Sequence, residues 1–309
     1  MKYSVVIPVY NEQEVLPLSY ERLKKVMDTL GDFELIFVND GSRDNSLNQL
    51  RKLAKTDKTV RVISFSRNFG HQEAVSAGMA AARGSAVIII DCDLQDPPEL
   101  IPQMAEKWRA GADIVYGRRI KRKGESALKK LTAAVYYKVL KALGGQYIPA
   151  NTGDFRLIDR KVCDALGRMP ERNRFLRGMA AWTGFRAEPV DFVRDERAAG
   201  KTKYSIKKML KLAGDGITAF SNRPLKFPLV LGMVLGAVSL AYLVLGIVFT
   251  CLGTWPLMHV LFALVFLLIA VLFISLGIFG LYLGRIYDEA KARPVYIIEE
   301  TINFSTEEL

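Results

Sequence analysis

The run Ala86-Val87-Ile88-Ile89-Ile90-Asp91-Cys92-Asp93-Leu94-Gln95-Asp96-Pro97-Pro98-Glu99 sets the architecture of this chain. Its first five residues are apolar and mostly β-branched, so they read as a strand buried on both faces. A strand with no polar side needs cover above and below. The run then ends in two carboxylates at alternate positions, and Pro97 and Pro98 open a helix. Outward from this point the same alternation recurs. Residues 4–9, 34–39, 60–65 and 113–116 read as strands, and 14–30, 44–55, 73–83 and 98–109 as helices between them. The spacing predicts an α/β domain with a mostly parallel sheet, whose ligands gather at the carboxyl ends of the strands.

Those ends carry the polar residues. The first strand runs into Pro8, Tyr10, Asn11 and Glu12, and the second into Asn39, Asp40, Gly41 and Ser42. The third runs into Arg67 and Asn68, and the fourth into Asp91, Asp93 and Gln95. No GxGxxG follows the first strand and no P-loop occurs, which disfavours a dinucleotide or P-loop site. Taken alone, Asn39 to Ser42 are an ordinary turn and helix cap. Asp91 and Asp93 say more, because hard oxygen ligands at the end of a buried strand suit a divalent cation that also holds a substrate diphosphate.

Charge divides the 309 residues into four parts. Residues 1–116 hold 14 Lys and Arg against 16 Asp and Glu, and residues 117–226 hold 26 against 10. Residues 227–284 hold no charge at all, and residues 285–309 hold 3 against 6, within a total of +11. An uncharged stretch of that length reads as two membrane spans, at about 229–251 and 260–284. Lys211, Arg223 and Lys226 precede the first, and Arg285, Lys291 and Arg293 follow the second, so both termini are expected in the cytoplasm. The expected organisation is a domain over 1–200, an amphipathic juxtamembrane helix over 201–226, a two-helix hairpin over 227–284 and a cytoplasmic tail over 285–309. Gly232 with Gly236, and Gly280 with Gly284, are spaced for close helix approach. The basic excess beside the membrane favours lipid headgroups or a phosphorylated lipid as partner over nucleic acid. Three widely spaced cysteines exclude a disulfide framework and a CxxC zinc site, and the N-terminus does not read as a signal peptide.

The order of these motifs resembles glycosyltransferase family 2 with the GT-A fold. The likeness rests on residues 6–12, 38–44, 67–70 and 91–99. Asn151-Thr152-Gly153-Asp154-Phe155-Arg156-Leu157, Pro170-Glu171-Arg172-Asn173 and the two-span end at Tyr282 to Tyr287 look like the bacterial polyisoprenyl-phosphate glycosyltransferases. Within that group the likeness is greatest to bactoprenol glucosyltransferases of O-antigen modification. The resemblance implies a UDP-sugar donor, an undecaprenyl-phosphate acceptor, a place in the bacterial inner membrane and a homo-oligomer such as a tetramer. It places Pro8, Tyr10, Glu12 and Asp40 around the nucleoside, Asp91 near the ribose and diphosphate, and Asp93 with Gln95 on Mg²⁺ or Mn²⁺. Asp154 takes the family's catalytic-base position, and residues 197–205, with Arg197 and Lys203, resemble its mobile loop. That loop has Thr202 where Ser is more usual.

The residues add chemistry of their own. A phosphate monoester has a second pKa of about 6 and needs no strong base to act as a nucleophile. Asp154 then either removes a proton or orients the acceptor, or it pairs with Arg156 for purely structural reasons. Arg118, Arg119, Arg122 and Lys123 are candidates to meet a lipid phosphate. Residues 126–143 and 206–220 show the spacing of basic amphipathic helices. A processive polysaccharide synthase is excluded by the lack of a QxxRW motif and of enough spans. A catalytically inactive membrane-anchored binding protein is disfavoured by intact Asp91, Asp93 and Gln95. The residues do not fix the sugar; the resemblance implies glucose, with galactose, N-acetylglucosamine, mannose and aminoarabinose derivatives open.

Overall fold

The computed structural model describes residues 2–122, 152–194 and 257–305, with five further positions between 234 and 241. The first half alternates β1 (Tyr3–Val9), α1 (Leu16–Asp28), β2 (Phe33–Asn39), α2 (Ser46–Thr56), β3 (Val60–Phe65), α3 (His71–Ala81) and β4 (Ala86–Ile89). One 3-10 turn, Pro98–Leu100, leads into α4 (Ile101–Arg109). Then come β5 (Ile114–Arg122), β6 (Thr152–Asp159), α5 (Arg160–Gly167), α6 (Leu176–Trp182) and β7 (Ala187–Arg194). A 35-residue helix, α7 (Leu257–Lys291), and a last strand, β8 (Ile298–Ile302), follow.

All eight strands form one sheet in the order β7-β5-β6-β4-β1-β2-β3-β8. Strands β1 to β4 are mutually parallel, as expected, and β6 and β8 enter antiparallel. Alternate residues of one strand serve two cores. Val5, Ile7 and Val9 pack with Leu16, Leu23, Leu50 and Met104 from α1, α2 and α4. Val6 faces the other way, toward Ala74, Val75, Val162 and Met179 from α3, α5 and α6. This is why the strands show no polar period: neither face meets water.

Pro8 in a central strand conflicts with strand preference, and register explains it. The β1–β4 ladder ends at Val6 opposite Ile89, after which only the Ile90 N–H reaches the Val6 carbonyl. Pro8 shares Val6's side of the strand and lies past that end, so its missing N–H removes no ladder bond. At the far end of the sheet, Glu34 and Arg61 form a pair at 2.5 Å, each almost wholly buried, and Ser4 donates to the same Glu34 at 2.5 Å. The remaining carboxylate oxygens are therefore satisfied, as a buried pair requires.

The C-terminal segment departs from a simple tail. Beyond α7 it returns to the domain: Ile298 pairs with Phe65 and Ile302 with Val62. Tyr296 stacks on Phe65 at 5.0 Å, Glu300 binds Arg51, and Asn303 donates at 2.7 Å to the carbonyls of Ala54 and Val60. Phe304 lies 3.8 Å from the Arg61 guanidinium. Helix α7 outlasts the expected 260–284 span at both ends, and its 35 residues reach about 52 Å at 1.5 Å each. Within it Leu267–Lys291 is long and apolar enough to cross a membrane, with Phe273 69 % and Leu281 64 % exposed. Of the expected first span only positions 234, 235, 237, 238 and 241 are described, each helical, while the 126–143 and 206–220 helices and the 197–205 loop lie outside the described residues.

Candidate active site

Register brings the two carboxylate motifs together. Ile89 lies opposite Arg156 in the antiparallel β4–β6 pair, so Asp91 and Asp154, two residues beyond, leave the ladder at the same edge. His71, the first residue of α3, stands between them. Its Nε2 is 3.2 Å from Asp154 Oδ2 and 3.7 Å from Asp91 Oδ1. Arg177 on α6 clamps the other side of Asp154, with Nε to Oδ1 at 2.7 Å and Nη2 to Oδ2 at 2.8 Å. Arg156 is buried nearby but spends its hydrogen bonds on the carbonyls of Asp154 and Gly153. Its guanidinium nitrogen is 3.9 Å from Asp154 Oδ1.

These contacts decide the charges. Burial pushes the Asp154 carboxyl up, but Arg177 and then His71 outweigh it and hold the group well below the ordinary carboxylate range. Burial alone pulls His71 down, yet Asp91 and then Asp154 raise its imidazolium to about 9. The Asp91 carboxyl is raised as well, to about 6, because burial and the negative charges of Asp154, Asp93 and Asp96 exceed the help from His71. Buried Arg156 is lowered to about 10.

The signs give a test. A folded-state pKa above the ordinary value means that stability is present at low pH and lost as pH rises. For His71 the loss runs from about 6.5 through about 9, and for Asp91 from about 3.8 through about 6. Asp154 acts in reverse, since its depressed pKa stabilises above about 3.8 and is lost only in stronger acid. Without added metal, Tm should therefore fall between about pH 6.5 and 9, and His71→Gln should flatten that fall. Differential scanning calorimetry reads both.

Around this centre the strand-end loops lock one another. Asp40 is 3 % exposed and accepts from the N–H groups of Phe69 at 2.7 Å and Gly70, and from the Asn68 amide at 2.7 Å. Asn11 accepts from the Arg43 N–H, and Ser42 and Ser46 accept from the N–H groups of Asn11 and Glu12. Gly41 has φ +61°, and a Cβ there would sit 2.3 Å from the Arg67 carbonyl carbon. Gly41→Ala should accordingly cost about 2 kcal/mol or more. Urea unfolding that matched wild type would disprove the close approach of these loops.

The Asp91–Gln95 turn fits a divalent cation. Asp91 Oδ1 is buried and has no hydrogen-bond partner among the described residues. Asp93 Oδ1 accepts from the Gln95 N–H at 3.1 Å, and Leu94 between them is forced to φ +56°. Among the described residues no three of His, Cys, Asp and Glu are grouped to hold an ion by themselves. Magnesium characteristically takes one or two carboxylates and completes its shell with water and substrate phosphate, so an all-oxygen pair suits it.

A mostly parallel sheet takes its ligands at the carboxyl ends of its strands, which is where this cluster stands. Residues 4–167, more than half of the chain, match the sequence profile of glycosyl transferase family 2. The chain belongs to that family. Relatives match along nearly the full length. An uncharacterized glycosyltransferase of Bacillus subtilis, YkcC, is 48 % identical, covering 100 % of this chain and 97 % of its own. A prophage bactoprenol glucosyl transferase homolog of Escherichia coli is 39 % identical (97 % and 99 %), and the bactoprenol glucosyl transferase of Shigella phage SfV is 40 % identical (97 % and 98 %). In fold, the chain is similar to glucosyl-3-phosphoglycerate synthase from Mycobacterium tuberculosis in a complex with Mn²⁺, uridine diphosphate and phosphoglyceric acid. That match has TM-score 0.50 at 22 % identity, over 70 % of this chain and 76 % of that one.

Against this family 2 background the expected residues fall into three groups. Tyr10, Glu12, Asp40, Asp91, Asp93 and Gln95 stand at the carboxyl edge, with Pro8 buried just inside it. Arg118, Arg119 and Arg122 lie along β5, but two of them have carboxylate partners. Arg118 donates two hydrogen bonds to the Asp191 carboxylate at 2.5 and 2.8 Å, and Arg119 turns inward to Asp96 at 3.2 Å through space that side-chain-free Gly153 leaves open. Arg197, Lys203 and Lys123 lie outside the described residues. His71 and Arg177 were not anticipated. His71 had one signal, being one of two histidines in the chain and placed directly after the Arg67–Gly70 motif. Arg177 had none, as one of 43 basic residues.

Proposed function

We propose that this family 2 glycosyltransferase moves a hexose, glucose in the first instance, from a UDP-sugar to undecaprenyl phosphate with inversion at the anomeric carbon. An acceptor phosphate oxygen forms the new bond to that carbon as its bond to the UDP oxygen breaks, and UDP leaves with the electron pair. The observation that carries the reading is where the membrane helix ends. β8 begins opposite Phe65, at the carboxyl edge of β3, so α7 reaches the domain on the edge that bears Asp91 and Asp154. A lipid acceptor then arrives where the chemistry is. The names of the bactoprenol relatives supply the acceptor and sugar class, and their likeness in length covers both halves of the chain.

In this reading Tyr10, Glu12 and Asp40 line the nucleoside pocket, with Asp40 acting through the loop it clamps. Asp93 and Gln95 hold Mg²⁺ or Mn²⁺, which when bound offsets the charge that develops on the departing diphosphate. Asp91 stands beside the ribose and diphosphate. Asp154 keeps Arg177 and His71 aimed at the acceptor side, and Arg118, Arg122 and Lys123 form a basic rim for the lipid phosphate. Arg197 and Lys203 belong to a loop that shares the diphosphate charge.

Parity supports a multi-pass anchor in the inner membrane. The segments on both sides of the 195–256 stretch and of α7 belong to one sheet, so a single crossing by α7 demands another crossing before it. Residues 229–251 are the apolar stretch available. A reporter after Leu309 and one within 252–259 should therefore report opposite sides of the membrane, and two cytoplasmic signals would make the apolar segments re-entrant. The decisive assay for function supplies membranes, undecaprenyl phosphate and a panel of labelled nucleotide sugars, and reads the lipid product by mass. No lipid-linked sugar from any donor, with folded protein and metal present, would sink the proposal.

A further inference from the structure

Pro170-Glu171-Arg172-Asn173 joins α5 to α6, and its backbone is engaged by α7. The N–H of Arg172 donates to Glu289 Oε1 at 2.8 Å, and that of Asn173 to the same oxygen at 3.4 Å. The Arg172 guanidinium donates to the carbonyl of Arg293, just past the end of α7. Glu289 stands in the last turn of α7, where the helix dipole disfavours a negative charge. Two backbone amides from another element are what repay that placement.

From this contact a short, braced path leads to the reacting centre. Arg174 binds the carbonyls of Glu171 and Met169, which closes the loop on itself. The Leu176 N–H at the start of α6 donates to Gln72 Oε1 of α3 at 3.0 Å, beside His71. The next residue is Arg177, bound twice to Asp154. The links on this path are hydrogen bonds between neighbouring elements, a route by which a shift of the α7 end would reach α6.

We propose that residues 170–175 are the joint through which the membrane helix sets the position of α6, and so of Arg177 and Asp154, relative to the bilayer, with Glu289 as the positioning residue. The inference rests on the reading of the site as one that transfers to a membrane-borne phosphate. That reaction joins a donor held by the domain to an acceptor held by the lipid, and reacting atoms must meet within about 3.5 Å. A joint that ties α7 to α6 makes the two frames one.

The test uses full-length protein in lipid nanodiscs, with Glu289→Ala, Glu289→Gln and Arg172→Ala. Glu289→Ala should lower kcat with undecaprenyl phosphate about tenfold, because small misplacements are costly in rate. UDP affinity should stay within about twofold, since the donor loops are untouched. Glu289→Gln keeps an acceptor oxygen and should restore most of the rate, and Arg172→Ala should fall between. Hydrogen exchange should quicken at the 172–173 amides and through α6 in Glu289→Ala, with α3 and the sheet unchanged. A wild-type kcat in Glu289→Ala would overturn the joint, as would unchanged exchange in α6 or a loss spread evenly over the domain and the UDP affinity. If wild-type protein itself transfers no sugar, the functional reading fails, and the exchange pattern alone upholds or overturns the joint.

Discussion

Asp93→Ala should reduce sugar transfer roughly a thousandfold while leaving the domain folded and in the membrane. The side chain sits at the end of β4, 7 % exposed, and its Oδ1 fixes the Asp93–Gln95 turn by accepting the Gln95 N–H. Two things are therefore lost in the Ala variant, a negative charge for the cation and a turn. Asp93→Asn separates them, because the amide oxygen still accepts from Gln95 while the charge is gone. If charge is what matters, Asn should be nearly as inactive as Ala, and chelation of the wild type should reproduce both. Asp91→Ala should be as severe, since it removes the buried oxygen that has no hydrogen-bond partner among the described residues. Transfer at the wild-type rate in the presence of a chelator would contradict all three.

The second large effect concerns Asp154. Asp154→Asn should lower turnover tenfold to a hundredfold, with little pH dependence above the acceptor's second pKa of about 6. A carboxylate gripped twice by Arg177 and once by His71, and held well below its ordinary pKa, is a poor proton acceptor. Its removal instead leaves Arg177, His71 and Arg156 with positive charge and no shared anchor. Arg177→Ala should cost about as much, and the double variant little more than either alone, because the two act as one unit. An obligatory base behaves differently. The Asn variant would then lose several orders of magnitude at pH 7 and climb steeply from pH 7 to 9 while wild type stayed flat.

Much of this was readable before any coordinates. Strands β1 to β4 announce themselves as unbroken apolar runs because both their faces are covered, and the polar residues at their ends follow from parallel topology. Asp91, Asp93 and Gln95, proposed to meet the diphosphate and the metal, are neighbours in sequence, so their grouping is local. The cluster around Asp154 is not. Asp154 meets His71 across 83 residues and Arg177 across 23, and nothing in the spacing of those residues reports a pairing that the β4–β6 register creates. Arg119 shows the converse error. On a sequence it is one of a basic run, whereas in the fold the strand alternation sends it to buried Asp96 and leaves Arg118 outside with Asp191. β8 was hidden by its charges. Ile298-Glu299-Glu300-Thr301-Ile302 lacks an apolar face, as suits an edge strand, and its signal lay in the β-branched and aromatic residues Val295 to Ile297 just before it.

The pairing of β8 with β3 has a further consequence for how the molecule is made. The sheet's edge partner is encoded after the membrane helix, about 240 positions beyond the strand it completes. During synthesis β3 must wait with an unpaired edge until α7 has been made and the chain has come back, an interval of about ten seconds or more at ordinary elongation rates. For that time the domain exposes a template for association with other nascent chains. Completion of α7 thus becomes a condition for finishing the sheet, and a version cut before that helix keeps the open edge permanently, so it should aggregate even though Asp91, Asp93 and Asp154 are all present.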